Sequence, residues 1–259
     1  ANDFRFHITF CDKGSTGGNK LKDGVHRMLT MKLYKYRADI YRDLLTLVNN
    51  QIYAPTVQNL NDPAETMVND SKIYEVFNLI EKSGLPINIA KDNYAKIIAQ
   101  ARTKLGIFSL SKTVFNELLW AYYANGHKGF CIEYDFEQLQ KSFPDGLLQS
   151  TFEVQYNNDT PEFSINSIIN YLENDAQFVK CIIATKSMAW EREEEIRITL
   201  YSSGLFEISP ESVTGIYFGL RMAESDKELV KNSLKGRNIK YYQMKLKPNS
   251  YLLEAELIK

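Results

Sequence analysis

Lys240-Tyr241-Tyr242-Gln243-Met244-Lys245-Leu246-Lys247 and Tyr251-Leu252-Leu253-Glu254-Ala255-Glu256-Leu257-Ile258 read as two strands divided only by Pro248, Asn249 and Ser250. Proline and asparagine are turn formers, and three residues cannot carry a parallel crossover, which takes about a dozen or more. Without a crossover helix between them, mixed or antiparallel pairing is expected. Upstream, Ser225-x-x-Glu228 has the form of a capping box opening the last helix, and Gly215 to Leu220 reads as a further strand.

The rest of the chain mixes the same elements. Leu33 to Arg37 alternates as a strand, Ile40, Leu44, Leu47 and Val48 recur at helical spacing, and Ile52 to Ala54 is a short strand. Helices are expected from Ser71 to Lys82, closed by Gly84, and from Asp92 as cap to Leu105, closed by Gly106. Ile107 to Leu110 reads as a strand, Asn116 to Tyr123 as a short helix and Phe130 to Tyr134 as a strand. Ile165 to Ile183 has the pattern of a long helix, and Glu195 to Tyr201 that of a strand. Short strands outnumber any regular β-α-β series, so the class is α+β, with a mixed, mostly antiparallel sheet flanked by helices. Residues 1–30 differ: Phe4, Phe6, Ile8 and Phe10 alternate before a polar stretch containing Gly14, Gly17 and Gly18. They are expected to form an N-terminal appendage, with residues 31–259 as one α+β domain beginning at Met31.

Composition narrows the function classes. With 31 basic against 32 acidic residues, no global field draws the chain onto a phosphate backbone or an anionic membrane. The three cysteines, Cys11, Cys131 and Cys181, are far apart and lack any C-x-x-C spacing, which predicts reduced thiols. Three histidines, His7, His26 and His127, make a histidine-rich metal site hard to assemble, and no metal site is expected. No apolar run approaches the length of a membrane span, and no signal core follows a basic start, so a cytoplasmic location and no membrane partner are expected. There is no P-loop, G-x-G-x-x-G, H-E-x-x-H or G-x-S-x-G.

Chemistry concentrates in four segments. In Trp190-Glu191-Arg192-Glu193-Glu194-Glu195-Ile196-Arg197-Ile198-Thr199-Leu200, period two turns Ile196, Ile198 and Leu200 to one face and Glu195, Arg197 and Thr199 to the other. That second face is either a solvated surface with a weak ion pair or a carboxylate held ionised by arginine, able to stabilise a developing cation. In Leu33-Tyr34-Lys35-Tyr36-Arg37, Lys35 and Arg37 share a face, either as the charges of a protected edge strand or as a diphosphate grip. Tyr53, with the turn Asn61-Asp62-Pro63-Ala64-Glu65, could present ligand contacts from a fixed backbone, although the turn chemistry alone explains that sequence. Trp120 to Gly129 is an aromatic helix running into a glycine-bracketed loop, with His127 four residues before Cys131; a strand cysteine without a partner acid is a poor nucleophile.

In order, Leu33 to Tyr36, Asn61 to Glu65, Phe108 to Ser111, the tryptophan-tyrosine helix into His127-Lys128-Gly129-Phe130, and Glu193 to Arg197 resemble the bacterial family known as domain of unknown function 2971, over about residues 31–220. More loosely, a first strand with a basic residue and a late strand with Glu-x-Glu is similar to the ADP-ribosyltransferase superfamily. That resemblance implies a bent, split sheet gripping NAD, or a related nucleotide or dinucleotide, in its cleft. It places Lys35 at the usual histidine or arginine position, Tyr53 where nicotinamide could stack, and Glu195 or Glu193 as the catalytic carboxylate; Tyr36, Arg37, Asn61, Asp62 and Arg197 are further residues expected at the cofactor. Lysine at 35 departs from the usual histidine or arginine, and the Ser-Thr-Ser stretch of many members is missing. The implied activities are NAD-dependent ADP-ribosyl transfer to an acceptor macromolecule or NAD hydrolysis, in a toxin or a phage-defence factor. The alternatives are a nuclease holding a metal on Asp62, Glu65, Glu193 and Glu195, and a non-catalytic nucleotide- or protein-binding module.

Overall fold

A computed structural model describes residues 31–84, 88–144, 148–161, 180 and 182–258. The expected appendage at 1–30 and nearly all of the expected helix at 165–183 lie outside those residues. The described strands are β1 (Lys32–Arg37), β2 (Gln51–Ala54), β3 (Gly106–Ser111), β4 (Phe130–Asp135), β5 (Leu148–Glu153), β6 (Gln155–Asn157), β7 (Thr185–Ser187), β8 (Glu195–Leu200), β9 (Gly204–Glu207), β10 (Val213–Phe218), β11 (Lys240–Leu246) and β12 (Leu253–Ile258). The described helices are α1 (Ile40–Val48), α2 (Asp70–Lys82), α3 (Asn88–Thr103), α4 (Glu117–Tyr123), α5 (Phe136–Lys141) and α6 (Glu224–Ser233).

Eight strands form one sheet in the order β12-β11-β10-β4-β1-β3-β8-β5, with β2-β9 and β6-β7 as separate two-stranded pairs. Every neighbour in the large sheet is antiparallel except β10 and β11, which run parallel with α6 as their crossover. The fold is thus α+β, its sheet mixed but mostly antiparallel and flanked by helices. β11 and β12 return antiparallel over Tyr241–Ile258, as the short turn requires. α6 departs from its expected start. Its cap is Ala223, without a side-chain bond, and Ser225 lies inside the first turn, where Glu224 and Asp226 complement the helix dipole instead.

One face of the sheet carries the largest core, where Leu33, Phe108, Ile132, Ile196 and Ile198 meet Leu44 and Leu47 of α1, Leu139 of α5 and Val230 of α6. The other face carries two cores. Ile107 packs with Phe77, Ile98, Ile182 and Ile183 over the β3-β8 half, and Tyr36, Cys131 and Tyr217 pack with Trp120 of α4 over the β1-β4-β10 half. Cys131 is a free, fully buried thiol whose pKa is pushed well up by burial, the inert character expected of it.

Where those two halves meet, the strand pairing is at its shortest. β1 pairs with β4 along its whole length, from Lys32 opposite Asp135 to Arg37 opposite Phe130. On its other side it pairs with β3 at one position, Tyr34 opposite Ser111. β1 therefore sits inside the sheet, not at an edge, and the edge-strand account of its charges fails. Gly129 secures the far end of the β1-β4 seam, because a Cβ there would come within 2.0 Å of the Arg37 carbonyl oxygen.

Candidate active site

A concavity of about 760 Å³ lies along the parting of β1 and β3. That size falls within the usual range of roughly 300–1,000 Å³ for small-molecule and cofactor sites. Lys35, Tyr36 and Arg37 line it from β1, Tyr53 from β2, Asn61 and Glu65 from the 61–66 turn, and Glu193 and Glu195 from the head of β8. The concavity thus brings together eight of the sequence candidates: Lys35, Tyr36, Arg37, Tyr53, Asn61, Glu65, Glu193 and Glu195. It leaves out two. Asp62 accepts a hydrogen bond from the Ala64 N–H at 2.9 Å, shaping the turn. Arg197 is 1% exposed and stands behind the carboxylates.

The carboxylates are assembled by local backbone chemistry. Glu193 ends a 3-10 turn, Met188–Glu193, and Glu194 follows in the left-handed region at φ 45°, ψ 51°. That turn lets Glu193 and the first strand residue, Glu195, reach the same cavity. Glu65 arrives from 130 residues upstream, after the Asp62 turn and before Thr66 at φ 62°, whose carbonyl accepts from Arg102 of α3 at 3.0 Å. Tyr123 of α4 donates its hydroxyl to Glu193 Oε1 at 2.7 Å, and Asn116, which caps α4, also donates to the Arg192 carbonyl.

Two cations serve these three acids. Arg197 donates Nε to Glu195 Oε1 at 2.9 Å and Nη2 to Glu195 Oε2 at 3.1 Å and Glu65 Oε1 at 2.7 Å, while Nη1 donates to the Ile183 carbonyl at 2.6 Å. Lys186 of β7 places Nζ at 2.6 Å from Glu193 Oε2, 3.4 Å from Glu65 Oε1 and 3.5 Å from Glu195 Oε2, with the Trp190 ring 4.8 Å away. The Glu195-Arg197-Thr199 face is buried throughout, so the solvated-surface account of it is wrong. Period two told which residues share the face. It could not tell that α2, α3 and residues 182–183 cover it. Lys186 escaped sequence reasoning because its strand is three residues long and carries no periodic signal.

Charge states follow from these partners. Burial opposes ionisation of Glu195, but Arg197, by charge and by hydrogen bond, with Lys186 and the Ser109 hydroxyl, overrides it and brings the pKa down to about 2. Burial likewise opposes the charge of Lys186, yet Glu195, Glu193 and Glu65 together hold its pKa above the ordinary lysine value. Lys35 goes the other way. Burial, then the neighbouring Arg37, bring its pKa down to about 7, against weaker support from Glu195, Asp43 and Glu193. Among the described residues Glu65 Oε2 is buried without a hydrogen-bond partner, while the Arg37 side chain lies by Tyr134 and 3.7 Å from Asp43.

Residues 119–198 match the family model described as Protein of unknown function (DUF2971). The matched segment holds Tyr123, Lys186, Glu193, Glu195 and Arg197, and excludes Lys35, Arg37 and Glu65. It is narrower than the 31–220 span of the motif resemblance. No curated protein and no solved structure matches the chain. No helix among the described residues is long and apolar enough to cross a membrane.

Proposed function

We propose that the chain is an NAD-consuming enzyme, an ADP-ribosyltransferase or NAD glycohydrolase, and that the opening between β1 and β3 is the split of an ADP-ribosyltransferase-like sheet. One observation carries this reading: Lys35 and Arg37 on one side, and Glu193 and Glu195 on the other, line a single cavity of dinucleotide size. Arg37 and Lys35, which line the cavity from β1, would take the diphosphate. Tyr53, nearly half exposed at the rim, would stack on an aromatic ring. Bound NAD supplies an activated glycosidic bond at its nicotinamide ribose. Glu195, fixed as an anion by Arg197, presents negative charge to the ribose as positive charge develops there, and needs no reorganisation to do so.

The nuclease alternative asks Asp62, Glu65, Glu193 and Glu195 to share a divalent ion. The position among three of these acids is taken by the Lys186 ammonium, and Asp62 is spent on its turn. No group of three or more metal-ligating side chains is assembled among the described residues. The test is to incubate the pure chain with NAD and follow nicotinamide release together with thermal stability. Release supports the proposal, a thermal shift without release points to a nucleotide-binding module, and neither effect overturns both. Glu195→Gln should abolish release. Because it weakens a buried ion pair, its fold must be verified by circular dichroism alongside.

A further inference from the structure

We infer that Lys35 is a nucleophilic amine, and that the cleft condenses it with an aldehyde or ketone carrying a phosphate. This goes beyond the NAD proposal, which uses Lys35 only as a cation. Three features of the structure carry it. Lys35 Nζ donates to the Ser109 carbonyl at 2.7 Å across the parting of β1 and β3 and approaches the face of Phe108 at 5.2 Å. It forms no ion pair among the described residues, because each nearby acid is already engaged: Glu195 by Arg197 and Lys186, Glu193 by Lys186 and Tyr123, Asp43 by Arg37 and Arg42. Arg37 lies two residues along the same strand face, and its permanent positive charge disfavours a second one beside it.

The charged groups facing Lys35 are Arg37 on its own strand, Asp43 from α1, and Glu193 and Glu195 from the β8 side. Their balance leaves the amine at about pKa 7, so near neutrality about half of it is the free base. In the reaction the Nζ lone pair adds to the carbonyl carbon. The carbonyl oxygen then leaves as water with the two protons shed by nitrogen, and a C=N bond remains. The Arg37 guanidinium, a permanent cation in the cavity wall with Asp43 3.7 Å from its Nη1, is the group that would hold the phosphate.

Lys186 is the internal control, a lysine of the same cavity held as an ammonium by three acids and therefore unreactive. The probe is pyridoxal phosphate, followed by cyanoborohydride reduction and peptide mapping of the wild-type chain, so no variant need fold and no NAD is involved. Lys35 should be labelled roughly ten-fold or more faster than Lys186 or any surface lysine near neutral pH. Its labelling rate should rise through about pH 7 and then level off. Pyridoxal lacking the phosphate should label Lys35 several-fold more slowly, a difference that Arg37→Gln removes. Label spread over surface lysines with none at Lys35, or a Lys35 rate still climbing at pH 10, overturns the inference. A phosphate preference that survives Arg37→Gln overturns the part assigned to Arg37.

Discussion

Lys35 and Lys186 face the same cavity, one from β1 and the other from the β8 side, and the structure gives them opposite electrical characters. Lys186 has three carboxylate oxygens within 3.5 Å and stays charged despite being 7% exposed in its side chain. Lys35 has a backbone carbonyl, an aromatic face and a neighbouring arginine, and is half-neutral near pH 7. Burial alone therefore does not decide the state of a cleft lysine. What decides it is whether the surrounding acids are free or already taken. Arg197 and Lys186 take the acids of the β8 side, and Lys35 is left with a weak remainder.

The comparison breaks most completely at Arg197. Replacing it with methionine leaves Glu195 and Glu65 buried with Lys186 as their one remaining ion-pair partner among the described residues. Loss of one partner of a buried ion pair costs about 3–5 kcal/mol, and urea unfolding of Arg197→Met should show a loss of that order. A loss under about 1 kcal/mol would mean that the acids are not held as described.

Next in size is the contrast between the lysines themselves. Lys186→Met removes the ammonium shared by Glu65, Glu193 and Glu195 and should destabilise by about 2–4 kcal/mol. Lys35→Met removes an amine that is poorly solvated and beside a like charge, and should fall within about 1 kcal/mol of wild type or stabilise it. Equal losses in the two variants would erase the distinction.

The pH dependence then separates them without relying on absolute stabilities. The folded pKa of Lys35 lies below its unfolded value, so between about 7 and 10.5 the unfolded chain binds the extra proton and stability rises with pH. The stability of wild type relative to Lys35→Met should climb across that window by at most about 1.4 kcal/mol per pH unit. Glu195 gives a slope of the same sign in a lower window. Its folded pKa of about 2 lies below the ordinary 4.5, so its contribution is complete above 4.5 and is lost as pH falls toward 2. Denaturation midpoints for wild type, Lys35→Met and Glu195→Gln across these ranges test both windows, and a stability that falls with rising pH in either one would contradict the assignment.

Much of this site was legible in the sequence, for a definite reason. Strand alternation put Lys35 with Arg37 and Glu195 with Arg197, and the structure keeps both pairings of face. Alternation is silent about what lies over a face. The same pattern fitted a wet surface ion pair and the dry cluster under Ile182 and Ile183 equally well. It is also silent about partners far away in the chain, such as Glu65 with Arg197, and about strands too short to alternate, such as β7 with Lys186. The parting of β1 from β3 depends on strand order, which local pattern does not encode.

The finest distinction comes from Tyr123, whose hydroxyl donates to Glu193 at 2.7 Å and so reaches Lys186 through one shared carboxylate. Tyr123→Phe should cost about 1–2 kcal/mol, the worth of a hydrogen bond to a charged acceptor that is partly screened. Its diagnostic value lies in how that loss combines with the two lysine changes. Tyr123 and Lys186 share Glu193, so the double variant Tyr123→Phe/Lys186→Met should depart from additivity by about 0.5–1.5 kcal/mol in a double-mutant cycle. Lys35 shares no hydrogen bond or ion pair with Tyr123, and Tyr123→Phe/Lys35→Met should be additive within about 0.5 kcal/mol. Coupling of similar size to both lysines would mean that the cavity behaves as one electrostatic unit, and the separate characters of its two sides would then have to be abandoned.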